Sequence, residues 1–163
     1  MKSVSSLLKD IASCLIQANG QLVTAESCTG GLIASQITDV AGSSLWFERG
    51  FVTYSNLAKQ EMLGVPEYLI QKFGAVSEEV ASAMAFGALK NSKGIIALSV
   101  TGIAGPDGGS IEKPVGTVCF GWATSSTPPR TEKKHLKGNR QEIRMAACQF
   151  ALEGVLSLIR ERV

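Results

Sequence analysis

The sequence predicts an α/β fold, a three-layer α/β/α sandwich with a five-stranded, mostly parallel mixed sheet. Segments rich in apolar and β-branched residues alternate with segments of helical periodicity, a pattern typical of parallel strands joined by crossover helices. The segment 94–100 is an apolar run, as expected of a strand covered on both faces. A chain of 163 residues is long enough to bury one core, and we place a single domain at 1–163.

The first half of the chain is predicted to hold two strands and five helices. Apolar residues at helical spacing predict a helix over 3–18. The β-prone run 22–25 then leads through a glycine-containing turn into a helix over 32–39. After it we expect a strand over 45–54, short helices ending at Gly64 and near Gly74, and a helix from the Ser77 N-cap to Asn91.

The second half is predicted to add three strands and a long helix. The apolar run 94–100 is the first of these strands. Residues 115–124 and 130–136 form an antiparallel hairpin, with the polar, proline-containing stretch 125–129 as its connection. Asn139 with Glu142 three residues later makes a capping box for a helix to about Arg160.

The composition excludes several kinds of site. The chain has one histidine, so a zinc site with two or three imidazoles cannot form, and a Ser-His-Asp triad would depend on His135 alone. That residue lies in a polar, charged segment of a predicted edge hairpin, and we interpret it as solvated. The four cysteines have no C-x-x-C spacing, which indicates reduced, mostly buried thiols and no metal.

Charge and hydropathy indicate which partners and which location to expect. The net charge is +2, and Glu132 interrupts the one basic cluster, 130–137, so we expect no nucleic-acid partner. No signal peptide and no apolar run near the ~18 residues of a membrane span are present, so we expect a cytoplasmic protein without a membrane partner. Trp46, Phe47 and Phe51 are either core or a subunit contact, and the second alternative would give a homodimer.

The loops that follow strands are the first candidates for a site, because ligands bind at the carboxyl ends of such strands. Ser27 stands between a predicted strand and a helix, just before the amides of Thr29, Gly30 and Gly31. A hydroxyl there would attack a carbonyl carbon while nearby amides stabilise the developing negative charge. Alternatively, Ser27 or Thr29 only caps the helix. Glu26 is either a helix-terminal charge or a substrate acceptor.

A serine nucleophile needs a base, and Lys59 is the candidate nearest to a strand end. It lies on a short helix with apolar neighbours, where burial would lower the lysine pKa enough to keep part of the amine neutral. Tyr54, on the preceding turn, would relay a proton or hold the hydroxyl. The alternative for Lys59 is a surface lysine on a helix.

Two further segments complete the predicted pocket. The loop 101–110 contains four glycines, whose amides would hold a phosphate or ribose. It matches neither a Walker A nor a G-x-G-x-x-G motif, and its alternative is a simple turn. Arg140 and Arg144, one helical turn apart, would bring guanidinium groups to a phosphate or else belong to a solvated first turn.

Taken together, the motifs resemble one family. They are A-E-S-C-T-G-G at 25–31, A-G-S-S-L-W-F-E-R-G-F-V-T-Y-S-N at 41–56, G-A-V-S at 74–77, T-G-I-A-G-P-D-G-G at 101–109 and K-P-V-G-T-V at 113–118. They are similar to the C-terminal domain of competence/damage-inducible protein CinA, a family that includes stand-alone nicotinamide mononucleotide deamidases. The resemblance implies a Ser/Lys amidohydrolase without metal or cofactor. Its reaction would convert nicotinamide mononucleotide to nicotinate mononucleotide and ammonia. Many members also carry an amino-terminal pyrophosphatase-like domain, for which we expect no room within 163 residues.

The resemblance also implies roles for individual residues. Ser27 would be the nucleophile and Lys59 the base, with Tyr54 beside them; Thr101, Gly102 and Gly105 would hold the nucleotide, and Arg140 its phosphate. We add Thr29 and Gly30 as oxyanion donors and Glu26 and Gly31 as substrate contacts. Three rival hypotheses stay open: a non-catalytic nucleotide-binding or regulatory module, a DNA-associated competence or damage factor, and an enzyme for another pyridine-nucleotide or nucleoside amide.

Overall fold

The computed structural model describes residues 1–162, which form a five-stranded sheet with helices on both faces. The strands are β1 (Leu22–Glu26), β2 (Phe47–Val52), β3 (Ile96–Gly102), β4 (Thr117–Thr124) and β5 (Thr127–His135). The helices are α1 (Val4–Gln17), α2 (Leu32–Thr38), α3 (Asn56–Leu63), α4 (Glu67–Phe73), α5 (Glu78–Lys90) and α6 (Arg140–Arg162), and a short 3₁₀ turn spans Ser43–Leu45.

The order of the strands explains where a site can form. They lie in the order β2-β1-β3-β4-β5. β1 pairs in parallel with β2 and β3, whereas β4 is antiparallel to both β3 and β5. Four strands therefore run in one direction, and the predicted mostly parallel mixed sheet is confirmed. The carboxyl ends of β2, β1 and β3 meet at one edge of the sheet, with β1 in the middle.

The two faces of the sheet carry separate apolar clusters. α1, α2 and α6 pack on one face, where Ile11 and Leu15 of α1 are fully buried. α3, α4 and α5 cover the other face, around Val23 of β1 and Met84 of α5. Each buried side chain of this size contributes about 1.5–3 kcal/mol to folding. Within residues 1–162, none of the helices combines the length and the apolar composition that a bilayer crossing requires.

The hairpin of β4 and β5 differs from its prediction. The predicted connection was 125–129, but only Ser125 and Ser126 lie between the two strands, and Pro128 and Pro129 belong to β5. β5 is an edge strand. Proline is tolerated there because only one side of an edge strand must supply amide hydrogens to the sheet. The prolines that suggested a loop therefore mark an edge.

The aromatic residues at 46–51 belong to the core of the chain. Trp46 is 1% exposed and lies in the cluster on the α1, α2 and α6 face, where Phe47 packs against it. Phe51 packs against the cluster on the opposite face. Trp46 is therefore a core residue, Phe47 and Phe51 are half-buried against the two clusters, and the homodimer stays a prediction.

Helix α6 is anchored at its beginning and in its middle. The capping box is confirmed: the Glu142 amide donates to Asn139 Oδ1 at 2.9 Å, and the Asn139 amide donates to Glu142 Oε2 at 2.7 Å. At Gly154 a Cβ atom would lie 2.2 Å from the Trp122 ring, so only glycine allows the helix to approach β4 this closely. The first two turns of α6 are thereby held at the carboxyl edge of the sheet.

Candidate active site

The first candidate residue, Ser27, directly follows β1. Its amide donates to the Val100 carbonyl at 2.9 Å, which continues the pairing of β1 with β3. Its carbonyl then accepts from the Gly30 amide at 3.0 Å, which closes a four-residue turn leading into α2. The Ser27 hydroxyl is consequently held between a central strand and a tight turn.

The second candidate, Lys59, lies on α3 at the end of the neighbouring strand β2. Ser55 caps this helix, because its hydroxyl accepts from the Ala58 amide at 3.0 Å. The cap fixes where α3 starts and therefore which of its residues face the sheet. Lys59 is 1% exposed, and its Nζ lies 3.0 Å from Ser27 Oγ. The structure thus brings the two residues into contact and excludes the surface-lysine alternative.

The hydrogen bonds of the Lys59 amine suit a base. Besides Ser27, Nζ contacts the carbonyl oxygens of Thr53 and Tyr54, each at 3.1 Å. In this structure Nζ donates to all three oxygens, which matches the three hydrogens of the ammonium form. When Lys59 loses one proton, the two carbonyls keep the remaining two hydrogens and the lone pair faces the Ser27 hydroxyl. The Tyr54 contact is made by the backbone carbonyl, and the Tyr54 side chain is 64% exposed, so the predicted proton relay through its hydroxyl has no support in this geometry.

Burial controls the charges at the site. It lowers the pKa of Lys59 below its ordinary value of 10.5, a change that the neighbouring Cys28 opposes in part. Burial likewise raises the pKa of the Cys28 thiol to about 11. At neutral pH Cys28 is therefore protonated and a weak nucleophile, while a fraction of Lys59 is available as a neutral amine.

The amides of the turn after Ser27 are not equivalent. The Gly30 amide is already bonded to the Ser27 carbonyl. The amides of Thr29 and Gly31, by contrast, have no acceptor in the part of the chain that the structure describes, and the Cys28 amide contacts only the thiol of its own residue. Neither of the expected oxyanion donors, Thr29 and Gly30, lines the cleft, whereas Cys28 does, so the choice of donor amide in this turn stays a prediction. Gly31 is the N-cap of α2 with φ +98°, a conformation that favours glycine.

Glu26 is engaged within the protein. It is 1% exposed, and its two carboxylate oxygens accept from the amides of Ile33 at 2.9 Å and Ala34 at 3.1 Å. A carboxylate at a helix amino terminus is stabilised by the unpaired amides there. Of the two alternatives for Glu26, the geometry favours the helix-terminal charge over the substrate acceptor.

A cleft of about 240 Å³ contains the serine–lysine pair. Four further predicted site residues line it, namely Tyr54, Thr101, Gly102 and Arg140, together with Cys28 of the A-E-S-C-T-G-G motif. Asn56, Ala75, Val76 and Ala104 also line it and were not singled out, although they fall inside or beside the quoted motifs. The Thr101 hydroxyl donates to the Ala75 carbonyl at 2.9 Å, so in this structure it holds one wall of the cleft against β3.

The two arginines of α6 have different neighbours. Arg140 lies at the rim of the cleft, and its Nη1 donates to the Gly105 carbonyl at 2.6 Å. Gly105 itself does not line the cleft. Arg144 instead donates to the carbonyls of Cys28 and Thr29. His135 is exposed on β5, with Nε2 3.1 Å from the Val115 carbonyl, in agreement with its interpretation as a solvated residue.

Size alone would point to other parts of the surface. A groove of about 670 Å³ lies between the end of α5 and the turn that joins β4 to β5, and one of about 570 Å³ lies between α3, α4 and α5. Serine and lysine side chains line both grooves, but within residues 1–162 no serine–lysine hydrogen bond forms in either. The smaller cleft is therefore the candidate site on chemical grounds.

Fold and site together define a three-layer α/β/α domain with a buried serine–lysine pair at the carboxyl edge of its sheet. The model of the CinA C-terminal domain family matches residues 4–159, and the chain belongs to that family.

Individual relatives cover nearly the whole chain. The nicotinamide-nucleotide amidohydrolase PncC of Enterobacter agglomerans is 53% identical over 156 residues, which are 95% of this chain and 94% of that protein. The protein of the same name from Escherichia coli K12 is 51% identical over 147 residues, 90% of this chain and 89% of that protein. The crystal structure of competence/damage inducible protein CihA from Agrobacterium tumefaciens matches with a TM-score of 0.93 and 43% identity, covering 97% and 96% of the two chains.

Proposed function

We propose that this protein hydrolyses the carboxamide of nicotinamide mononucleotide, releasing ammonia and nicotinate mononucleotide for pyridine-nucleotide salvage. The observation that carries the proposal is the 3.0 Å contact between Lys59 Nζ and Ser27 Oγ at the base of a cleft with Arg140 at its rim. Two relatives that are 53% and 51% identical bear the name nicotinamide-nucleotide amidohydrolase, which supports the choice of substrate.

The proposed reaction has two halves. Neutral Lys59 takes the Ser27 proton while Oγ attacks the carboxamide carbon, and the amides of Cys28 and Thr29 stabilise the oxyanion. Lys59, now an ammonium, returns its proton to the departing nitrogen, so that ammonia leaves and a nicotinoyl ester on Ser27 remains. In the second half Lys59 removes a proton from water, water attacks the ester, and Ser27 recovers its proton as the carboxylate product leaves.

The substrate itself lowers the demand on the base. The positive pyridinium ring withdraws electrons from the carboxamide and makes its carbon more electrophilic than that of a neutral aromatic amide. A lysine whose pKa is lowered by burial is then a sufficient base, because the best catalytic pKa lies near the working pH. Arg140 at the rim supplies a cation for the phosphate.

Ammonia release distinguishes this function from its rivals. We expect rapid release from nicotinamide mononucleotide and much slower release from nicotinamide riboside and nicotinamide, which lack the phosphate. Faster release from the riboside would assign another amide as substrate. Thermal stabilisation by the mononucleotide without any product would indicate a non-catalytic binding module. Tight DNA binding with a steep salt dependence would favour the competence or damage factor instead. The low net charge of +2 argues against that hypothesis.

The cysteines support a reducing compartment. Cys14, Cys28, Cys119 and Cys148 are all free thiols, and the last three are buried. Secreted proteins of this size more often pair their cysteines. We therefore place the enzyme in the cytoplasm, where its nucleotide substrate is available.

Replacing Arg140 tests the phosphate contact. For Arg140→Met we expect the KM for nicotinamide mononucleotide to rise about 10–100-fold, the loss of one charge-assisted hydrogen bond, with kcat changed by less than about threefold. Hydrolysis of nicotinamide riboside serves as the control, because it has no phosphate and its kcat/KM should not change. An equal loss for both substrates would show that Arg140 does not bind the phosphate.

Replacing Cys28 tests whether the serine acts alone. The Cys28 thiol stays protonated because burial raises its pKa to about 11, so we expect Cys28→Ser to retain kcat to within about tenfold, the remaining cost being that of a polar group in the core. Thermal unfolding measured in parallel separates a packing defect from a chemical one. A loss as large as that of Ser27→Ala would make Cys28 the nucleophile.

A further inference from the structure

Arg144 makes contacts that the proposed reaction does not use. It lies in the second turn of α6 and reaches the loop that carries Ser27, which is over a hundred residues away in the sequence. Its Nε donates to the Cys28 carbonyl at 3.1 Å, and its Nη2 donates to the Thr29 carbonyl at 2.8 Å. The guanidinium therefore spans two successive peptide groups of the turn directly after the nucleophile.

These contacts fix the direction of an amide. In a trans peptide the carbonyl and the amide hydrogen point to opposite sides. The Cys28 carbonyl shares its peptide group with the Thr29 amide, so the bond to Arg144 turns the Thr29 N–H away from α6. That amide has no acceptor within residues 1–162, in contrast to the Gly30 amide, which is bonded to Ser27.

The charge of Arg144 acts in the same direction. A cation that donates to a carbonyl polarises the peptide group and makes its amide a stronger hydrogen-bond donor. Arg144 forms no ion pair with a carboxylate in the described part of the chain, and it is partly buried. Its positive charge is therefore directed at the turn without a neutralising partner.

We infer that Arg144 is a positioning residue of the active site, whose guanidinium holds the Cys28 and Thr29 carbonyls and so fixes and polarises the turn beside Ser27 whose amides would receive the oxyanion. The inference rests on the proposed hydrolysis at Ser27. It assigns the two arginines of α6 to different tasks: Arg140 to binding the substrate and Arg144 to the transition state. An oxyanion donor acts only where charge develops, so the loss of Arg144 should be visible in kcat.

The test compares Arg144→Met and Arg144→Lys with the wild type on nicotinamide mononucleotide. Removing a whole oxyanion donor lowers kcat by about 100–1,000-fold, and a donor that remains but is no longer held in place should lower it by about 10–100-fold. For Arg144→Met we expect the smaller loss of kcat, about 10–100-fold, with KM changed by less than about threefold. Arg144→Lys should be intermediate, because an ammonium keeps the charge but cannot span both carbonyls. Arg160→Met, an exposed arginine of the same helix, is the matched control.

Three results would overturn the inference: unchanged kcat in Arg144→Met, a tenfold rise in KM at constant kcat, or a loss of activity that only follows a lowered unfolding temperature. If the wild type releases no ammonia from the mononucleotide, the proposed function fails first. The inference is then judged by the hydrolysis of p-nitrophenyl acetate, with Ser27→Ala as the blank. Arg144→Met should hydrolyse p-nitrophenyl acetate with the same 10–100-fold loss of rate, about that expected for the mononucleotide. The inference is refuted if Arg144→Met and the wild type hydrolyse this ester at equal rates, or if Ser27→Ala hydrolyses it as fast as the wild type.

Discussion

Ser27→Ala should reduce kcat for ammonia release from nicotinamide mononucleotide by about 10⁴–10⁶-fold, the range seen when a serine nucleophile is removed. The physical reason is that no other group at the base of the cleft can take its place. The Cys28 thiol is protonated because burial raises its pKa to about 11, and a water molecule in the cleft would lack the fixed position that Ser27 has between β1 and the turn. The measurement is a single-turnover and steady-state ammonia assay.

The control for this variant is Ser35→Ala, an exposed serine on α2 that follows the same loop. Its activity should equal that of the wild type. Binding of nicotinamide mononucleotide to Ser27→Ala, measured by calorimetry, should persist and will show that the cleft is intact. Retention of more than a tenth of the wild-type kcat would remove Ser27 from the role of nucleophile.

Replacing Lys59 should be about as damaging as replacing Ser27. Lys59→Met removes the proton acceptor, and Lys59→Arg keeps a positive charge that cannot be lost at working pH. The kcat of each variant should therefore be about 10³–10⁵-fold lower than that of the wild type. The double variant Ser27→Ala with Lys59→Met should be no worse than either single change, because groups that act as a unit are not additive. Substantial activity in Lys59→Arg would show that only the charge matters.

The pH dependence follows from the direction of the Lys59 pKa. Only the neutral amine accepts a proton, so kcat/KM should rise with pH to a plateau. The midpoint of this rise should lie below pH 10.5, because burial lowers the pKa of Lys59.

The stability of the fold should depend on the same group. Between the folded-state pKa of Lys59 and 10.5, the unfolded chain binds more protons at this position than the folded chain does. The free energy of unfolding should therefore rise with pH across this window. Lys59→Met should lose this part of the rise, and a kcat/KM that falls with pH in the same range would contradict the role of base.

Local patterns in the sequence were enough to predict most elements of the fold. The apolar run 94–100 that forms most of β3, the Asn139–Glu142 capping box and the glycine stops of the helices depend on neighbours within a few residues. The hairpin of β4 and β5 was placed less well, because Pro128 signals a turn in isolation. Only the sheet order shows that it lies on an edge strand, where the missing amide hydrogen costs little.

The candidate site divides in the same way. The positions of Ser27 and Lys59 after successive strands made them candidates, because the carboxyl ends of parallel strands share one edge of the sheet. The tertiary structure alone decided that the two atoms are 3.0 Å apart, that Tyr54 contributes its carbonyl and not its hydroxyl, and that Gly30 is already bonded.

Arg144 shows the reason most directly. From the sequence it was one of two arginines a helical turn apart; a phosphate contact or a solvated first turn was expected for both, and only Arg140 was assigned to the phosphate. In the structure it holds a loop at the opposite end of the chain. Helical periodicity and capping reflect contacts between near neighbours, and the sequence by itself determined these. Hydrogen bonds between distant segments depend on how closely α6 packs on the sheet, through contacts such as that of Gly154 with Trp122, and only the folded chain decides them.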